Sequence, residues 1–327
     1  MSAFTYGEAA RMAFSGFGLV RRQPLTILAW GVFSALAMAA VVGLAGLMMA
    51  PALISIGEVA RDSAAAPPNP AQIMGSILGL VGGYLVLLGG ILVVNTVQGS
   101  AVFRTVLEPG RGGLAHLQIG SQELWLLIVA VSAFILLSMA MMPFSMAMSI
   151  VMVMTGGARP TAAPDPNAPP SVILSTMFPA SPVFWGMELV LMVFSLFLMS
   201  RFIMAFPMTF ADRRFRLFES WGLTRGHTLK MALMIFLQGI SQYLAMFAFV
   251  AVLALVAAAT VMTRHPDGGM AAMAGKPLTD WIALIWPVLA VAAVVAVPFF
   301  GVFAALYYVP LAETYLKFKP PAADAFT

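Results

Sequence analysis

The chain has 327 residues, 61% hydrophobic and 9% charged, with no cysteine and a formal net charge of +4. Soluble domains carry roughly 25% charged residues, so no water-facing fold of this size can hide so much apolar surface and lipid must solvate much of it. The composition excludes disulfides and thiolate metal sites, its three histidines (His116, His227, His265) share no ligand spacing, and its small, dispersed charge gives no footprint for nucleic acid.

In chain order, Asp, Glu, Lys and Arg are missing from 23–57, 63–103, 124–158, 231–263 and 281–312. Each run exceeds the ~20 residues that cross a hydrocarbon core. A sixth apolar stretch, 183–209, is interrupted only by Glu188 and Arg201. These runs predict an all-α integral membrane protein with six transmembrane helices, near 25–50, 73–99, 124–154, 183–209, 229–262 and 280–312. The third and fifth are longer than a span requires and must tilt, kink or project, with Pro143 as the expected kink. The first run begins after residue 22 and is too long for the apolar core of a cleavable signal, so it is expected to be retained. The 25 methionines are scattered through every apolar stretch, which fits packing filler better than a thioether metal path.

Lys and Arg give the orientation. With the N-terminus inside, the inner segments hold twelve basic residues: Arg11, Arg21, Arg22, Arg104, Arg111, Arg213, Arg214, Arg216, Arg225, Lys230, Lys317 and Lys319. The outer segments hold four, Arg61, Arg159, Arg264 and Lys276, while Arg201 stays within a span. This asymmetry predicts that both termini are cytoplasmic. Residues 63–70 (SAAAPPNP) and 156–171 (GGARPTAAPDPNAPPS) read as flexible outer loops.

A repeat joins the inner segments. Residues 14–25, FSGFGLVRRQPL, and 218–229, FESWGLTRGHTL, share Phe-x-x-aromatic-Gly-Leu-x-Arg and a Leu four residues after the Arg. A weaker copy, LAHLQIGSQEL at 114–124, aligns Leu117 with Leu19 and Leu223. The chain then divides into three units, about 4–100, 101–209 and 210–315, each an interfacial amphipathic segment followed by a helical hairpin. Direct repeats of this kind imply an axis along the membrane normal. In 210–225, Phe210, Leu217, Phe218 and Trp221 fall on one helical face, so an amphipathic helix is expected there. The segment with Phe4, Ala10, Phe14 and Phe17 has a similar pattern.

The basic residues beside the second segment, Arg213, Arg214, Arg216, Arg225 and Lys230, are candidates for anionic lipid headgroups. Basic juxtamembrane residues also follow from topology alone, so anchoring is the competing reading. Within the spans, Arg201, Asn95 and Gln238 are the candidate polar sites. An intramembrane Arg is costly and marks function by default, against which stands snorkelling or a pair with Asp212. Gly75, Gly79 and Gly83, with Ala35, Ala39 and Gly43, are spaced for close helix approach. Catalytic templates are missing: no GxSxG, no phosphate loop and no paired carboxylates, so neither an enzyme nor a cofactor is expected.

The block RFIMAFPMTFADRRFRLFESWGLTRGHTLKM (201–231), with AVFRTVLEPGRGGLAHLQIGSQELWL (101–126) and FTYGEAARMAFSGFGLVRRQPLTILAW (4–30), resembles an uncharacterised group of multi-pass inner-membrane proteins of alphaproteobacteria. More distantly, the LTRG block is similar to the membrane domain attached to some glycerophosphoryl diester phosphodiesterases. The resemblance implies architecture and a bacterial inner membrane. It carries over no catalytic residues, because the hydrolase part of those enzymes is a separate soluble domain. The expectation is a non-enzymatic protein that binds membrane lipids or serves as an accessory subunit to a membrane-protein partner. A transporter or channel with a polar path near Arg201 is the alternative.

Overall fold

The computed structural model describes residues 4–62, 69–110, 114–118, 120–154, 182–264 and 278–318. The expected outer loop 156–171 and most of the first, 63–68, lie outside the described residues. Among the described residues ten α-helices follow one another: α1 (Tyr6–Ala13), α2 (Ser15–Arg22), α3 (Pro24–Asp62), α4 (Pro70–Leu107), α5 (Ser121–Met154), α6 (Pro182–Phe202), α7 (Ala205–Asp212), α8 (Glu219–Leu223), α9 (Thr228–Arg264) and α10 (Leu278–Phe318). A 3₁₀ turn, Leu114–His116, leads towards α5. The protein is an all-α, multi-pass membrane protein, with six helical segments among the described residues long and apolar enough to span. In the apolar centre of α9 the mean hydropathy is 2.6 and 0% of residues are buried within the bundle. Such a surface is stable only where the surrounding solvent is itself apolar.

The helix ends follow local chemistry. Thr5 caps α1 through its hydroxyl, which accepts from the Glu8 N–H at 3.3 Å, while Glu8 accepts from the Thr5 N–H at 3.0 Å, a reciprocal capping box. Asn69 caps α4 by accepting from the Ala71 N–H at 3.0 Å, and Pro70 takes the first helical position, where no N–H is needed. Two helices run longer than the apolar runs suggested. α3 spans 39 residues, roughly 58 Å at 1.5 Å per residue, so it extends well past a hydrocarbon core. α10 spans 41 residues and continues through Pro287, Pro298 and Pro310, as membrane helices can when neighbours satisfy the freed carbonyls.

Two expected elements differ. The fourth helix ends at Phe202, not near 209, and α7 restarts at Ala205. Pro207 explains the break: inside a continuous helix its missing N–H would orphan a carbonyl, whereas the first turn of α7 tolerates it. The expected amphipathic helix over 210–225 is likewise two short helices. Arg213 adopts a left-handed conformation (φ 52°), and the chain is non-helical until α8. Phe210 and Leu217 are fully buried, whereas Phe218 and Trp221 are exposed, so these four do not share a face. The N-terminal segment also breaks, at Phe14; Phe4, Ala9, Met12, Ala13 and Gly16 face the protein, whereas Phe14 and Phe17 are exposed.

Consecutive long helices pair as α3/α4, α5/α6 and α9/α10. α4, α5, α6, α9 and α10 touch in sequence and close a ring, because α10 also packs on α4. α3 lies outside that ring against α4 and α10. The closest approach joins the first and last pairs. A Cβ on Gly31 would collide with the Val297 carbonyl oxygen, and one on Gly301 with that of Ile27. Of the small residues singled out in the sequence, Gly79 and Gly83 do meet α3, whereas nothing lies within 4 Å of a Cβ at Gly75 or Gly43.

Candidate functional site

The short elements α1, α2, α7 and α8 and the turn at 114–118 pack on the long helices that they adjoin, forming a collar at the end of the bundle where those helices are joined to them. Phe4 meets Phe318 there at 5.2 Å between ring centroids, so the first and last described elements are tied together. The most buried charges of the collar are Arg104, at the end of α4, and Glu123, at the start of α5, with side chains only 4% and 6% exposed. They form a direct ion pair. Arg104 also donates to the His116 carbonyl at 2.5 Å and stands 5.6 Å from the Phe210 ring centroid. Gln122 reaches the Phe210 carbonyl and the Glu108 carboxylate, both at 3.4 Å. Trp30 on α3 donates its indole N–H to the Ala115 carbonyl at 2.8 Å. Ala115 and His116 hold positive φ, 53° and 61°, a conformation that costs non-glycine residues energy unless neighbours hold it. Here Arg104 and Trp30 grip those two carbonyls. In the sequence Arg104 stands only as an inner charge, with no evident partner. The available signal was a lone Arg and a lone Glu, each at the edge of a charge-free run.

Inside the ring lies a cavity of about 630 Å³. Its walls are mostly apolar, with Leu126, Ala133 and Ala140 from α5, Met199 and Phe202 from α6, and Phe303 from α10. Phe218 and Trp221 border it on the collar side, and lining by the exposed Phe134 and Phe218 puts it in communication with the bundle's outside. A few polar groups interrupt the walls: Asn95, Thr96 and Gln98 of α4, Gln242 of α9, and Tyr307 and Tyr308 of α10. Several are already engaged. Gln98 donates to the Phe300 carbonyl at 3.1 Å, and the Tyr308 hydroxyl donates to the Asn95 carbonyl at 2.9 Å. The Gln242 amide nitrogen is buried and has no hydrogen-bond partner. A buried, unmade hydrogen bond of this kind is costly.

The three expected intramembrane residues do not meet on one path. Asn95 lines the cavity. Gln238 is 2% exposed and donates to the Tyr307 carbonyl at 2.6 Å, which ties α9 to α10. Arg201 stands at the end of α6, its guanidinium 4.9 Å from the Trp221 ring centroid and 5.5 Å from that of Phe197. Its Nε and Nη1 are buried without hydrogen-bond partners. The expected pair with Asp212 is not formed, because Asp212 lies 3.1 Å from Arg216. The aromatic rings therefore take the place of a carboxylate around Arg201.

The five headgroup candidates also divide. Arg216 is held between Asp212 and Glu219, at 3.1 and 3.6 Å. Arg213 lies 3.9 Å from Glu108. Lys230 stands 5.8 Å from the Tyr6 ring centroid. Arg214 and Arg225 are exposed and make no ion pair among the described residues. Among the described residues no three His, Asp or Glu side chains converge as metal ligands would. No protein-family model, curated protein sequence or solved structure matches this chain.

Proposed function

We propose that this is a non-enzymatic lipid-binding protein of a bacterial inner membrane, with both termini cytoplasmic, whose helix ring holds an apolar, chain-bearing molecule. The cavity inside the ring carries this reading. Its volume of about 630 Å³ falls within the ~300–1,000 Å³ of small-molecule sites, and its walls are largely aliphatic and aromatic, interrupted by a few polar side chains, Asn95, Gln98 and Gln242 among them. A transporter with a polar path near Arg201 draws less support, because Gln238 is committed to a backbone carbonyl and Arg201 sits among aromatic rings. Ala140→Trp puts a bulky side chain into the cavity. Purification under native conditions with mass spectrometry should recover a bound lipid from the wild type and not from this variant; equal recovery from both would end the cavity reading.

Of the five headgroup candidates, Arg214 and Arg225 are the two left unpaired to meet anionic headgroups. Arg214→Gln with Arg225→Gln should lower co-purified anionic lipid, whereas Arg216→Gln should not. Orientation is tested separately, through the absence of cysteine. Ser220 is buried and unsuitable as a label site, but Gly18 and Gly57 are exposed with open space around them. In intact cells an impermeant thiol reagent should label Gly57→Cys and spare Gly18→Cys; the reverse pattern would invert the topology.

A further inference from the structure

A second hollow, about 660 Å³, lies in the collar between α1–α2 and the ends of α4 and α10. Arg11 and Arg22 line it from two successive helices, and Glu313 lines it from α10. Ser15 adds a hydroxyl that is buried and has no hydrogen-bond partner. Val309 and the half-buried Leu19 give it an apolar floor. Arg11, Arg22 and Glu313 enter no ion pair among the described residues, and Glu8, one turn from Arg11, is already taken by Lys317. The hollow thus presents two guanidinium groups and one carboxylate above apolar side chains.

We propose that this hollow binds the headgroup of an aminophospholipid, with its phosphate on Arg11 and Arg22 and its ammonium on Glu313. Paired guanidinium forks match phosphate oxygens. A half-buried carboxylate beside them needs donors of its own, and a primary ammonium brings three with a positive charge. A choline headgroup has the charge but no N–H, and a glycerol headgroup leaves Glu313 facing hydroxyls without a cation. The place fits the source. The collar caps six apolar spans, where headgroups lie, and Leu19 and Val309 can meet the start of the acyl chains. The proposal shares with the proposed function the premise that lipid is the ligand, but its site is separate from the ring cavity.

The test uses the full chain in detergent, titrated with phosphatidylethanolamine, phosphatidylglycerol or phosphatidylcholine and read by native mass spectrometry. Wild type should retain phosphatidylethanolamine severalfold better than the other two. Glu313→Gln should abolish the preference over phosphatidylglycerol while keeping phosphate-dependent binding, and Arg11→Gln with Arg22→Gln should weaken all three lipids. Soluble phosphoethanolamine should not compete at the lipid's concentration; full competition would replace the lipid with a free phosphate ligand and overturn the assignment. So would equal binding of phosphatidylcholine by the wild type, or an unchanged preference in Glu313→Gln. If the double arginine variant fails to fold, Glu313→Gln still decides the outcome. Ala140→Trp should leave headgroup preference intact, so an empty ring cavity and an unselective collar are separate results.

Discussion

Gly16 and Ser220 occupy the same place in the two matched segments, 14–25 and 218–229, and both are buried. Around them the burial order is shared. Phe14 and Phe218 are exposed, as are Phe17 and Trp221, and Leu25 and Leu229 stand out at 80% and 73% exposure. Leu19 and Leu223 both pack against the main core. The contacts differ. Gly16 presses on the backbone of α10, where a Cβ would lie 2.6 Å from the Ala305 carbonyl oxygen. Ser220 donates its hydroxyl to the Arg201 carbonyl at 2.6 Å. One segment is held by the absence of a side chain, the other by a side chain that satisfies a helix-end carbonyl. The segment leading into α5 is held in a third way, by the Arg104–Glu123 pair. A shared pattern of apolar positions can therefore be docked by three unrelated devices.

The comparison breaks most sharply at the third device. Arg104→Met leaves Glu123 charged, buried and unpaired, which should cost about 3–5 kcal/mol. Arg104→Met with Glu123→Leu should recover most of that loss in unfolding measurements in detergent; no recovery would show that Arg104 acts chiefly through the His116 carbonyl. At the first device, Gly16→Val forces a side chain into the α10 backbone and should cost roughly 1–3 kcal/mol. Ser220→Gly should be milder, and if the two effects are equal the distinction between the segments fails. Ser220→Ala should cost about 1 kcal/mol, one hydrogen bond.

A pH test sharpens the role of α1. Lys317 holds the Glu8 carboxyl below the ordinary glutamate range by a direct hydrogen bond, and the Thr5 N–H adds to this. A lowered folded pKa contributes stability above the unfolded pKa and loses it as pH falls through the folded value. Hydrogen exchange of α1 should accordingly quicken on acidification through and below the glutamate range, and Lys317→Met should flatten that response. The smallest effect is expected at Gly75, where a Cβ meets nothing within 4 Å. Gly75→Ala should change stability by less than about 0.5 kcal/mol, although its spacing matches that of Gly79 and Gly83.

The sequence by itself determined the class and the number of spans, because burying or exposing some twenty apolar residues in a row has one solution and leaves little to tertiary detail. It also marked both entry motifs, since Gly-Leu-x-Arg recurs at 18–21 and 222–225. It did not determine which charges meet. Arg104 and Glu123 lie on different helices, and Arg216 turns to Asp212 and Glu219 where Arg201 had seemed Asp212's neighbour along one helix. That reading assumed an unbroken helix, and Pro207 with the left-handed Arg213 breaks it. Only the tertiary structure decided that Gly31 and Gly301 face each other's helices, or that Ala133 and Ala140 line a void. A small residue on a membrane helix permits close approach but does not choose the partner. Its sequence is the same whether the space it leaves is filled by a neighbouring backbone or stays open as a cavity.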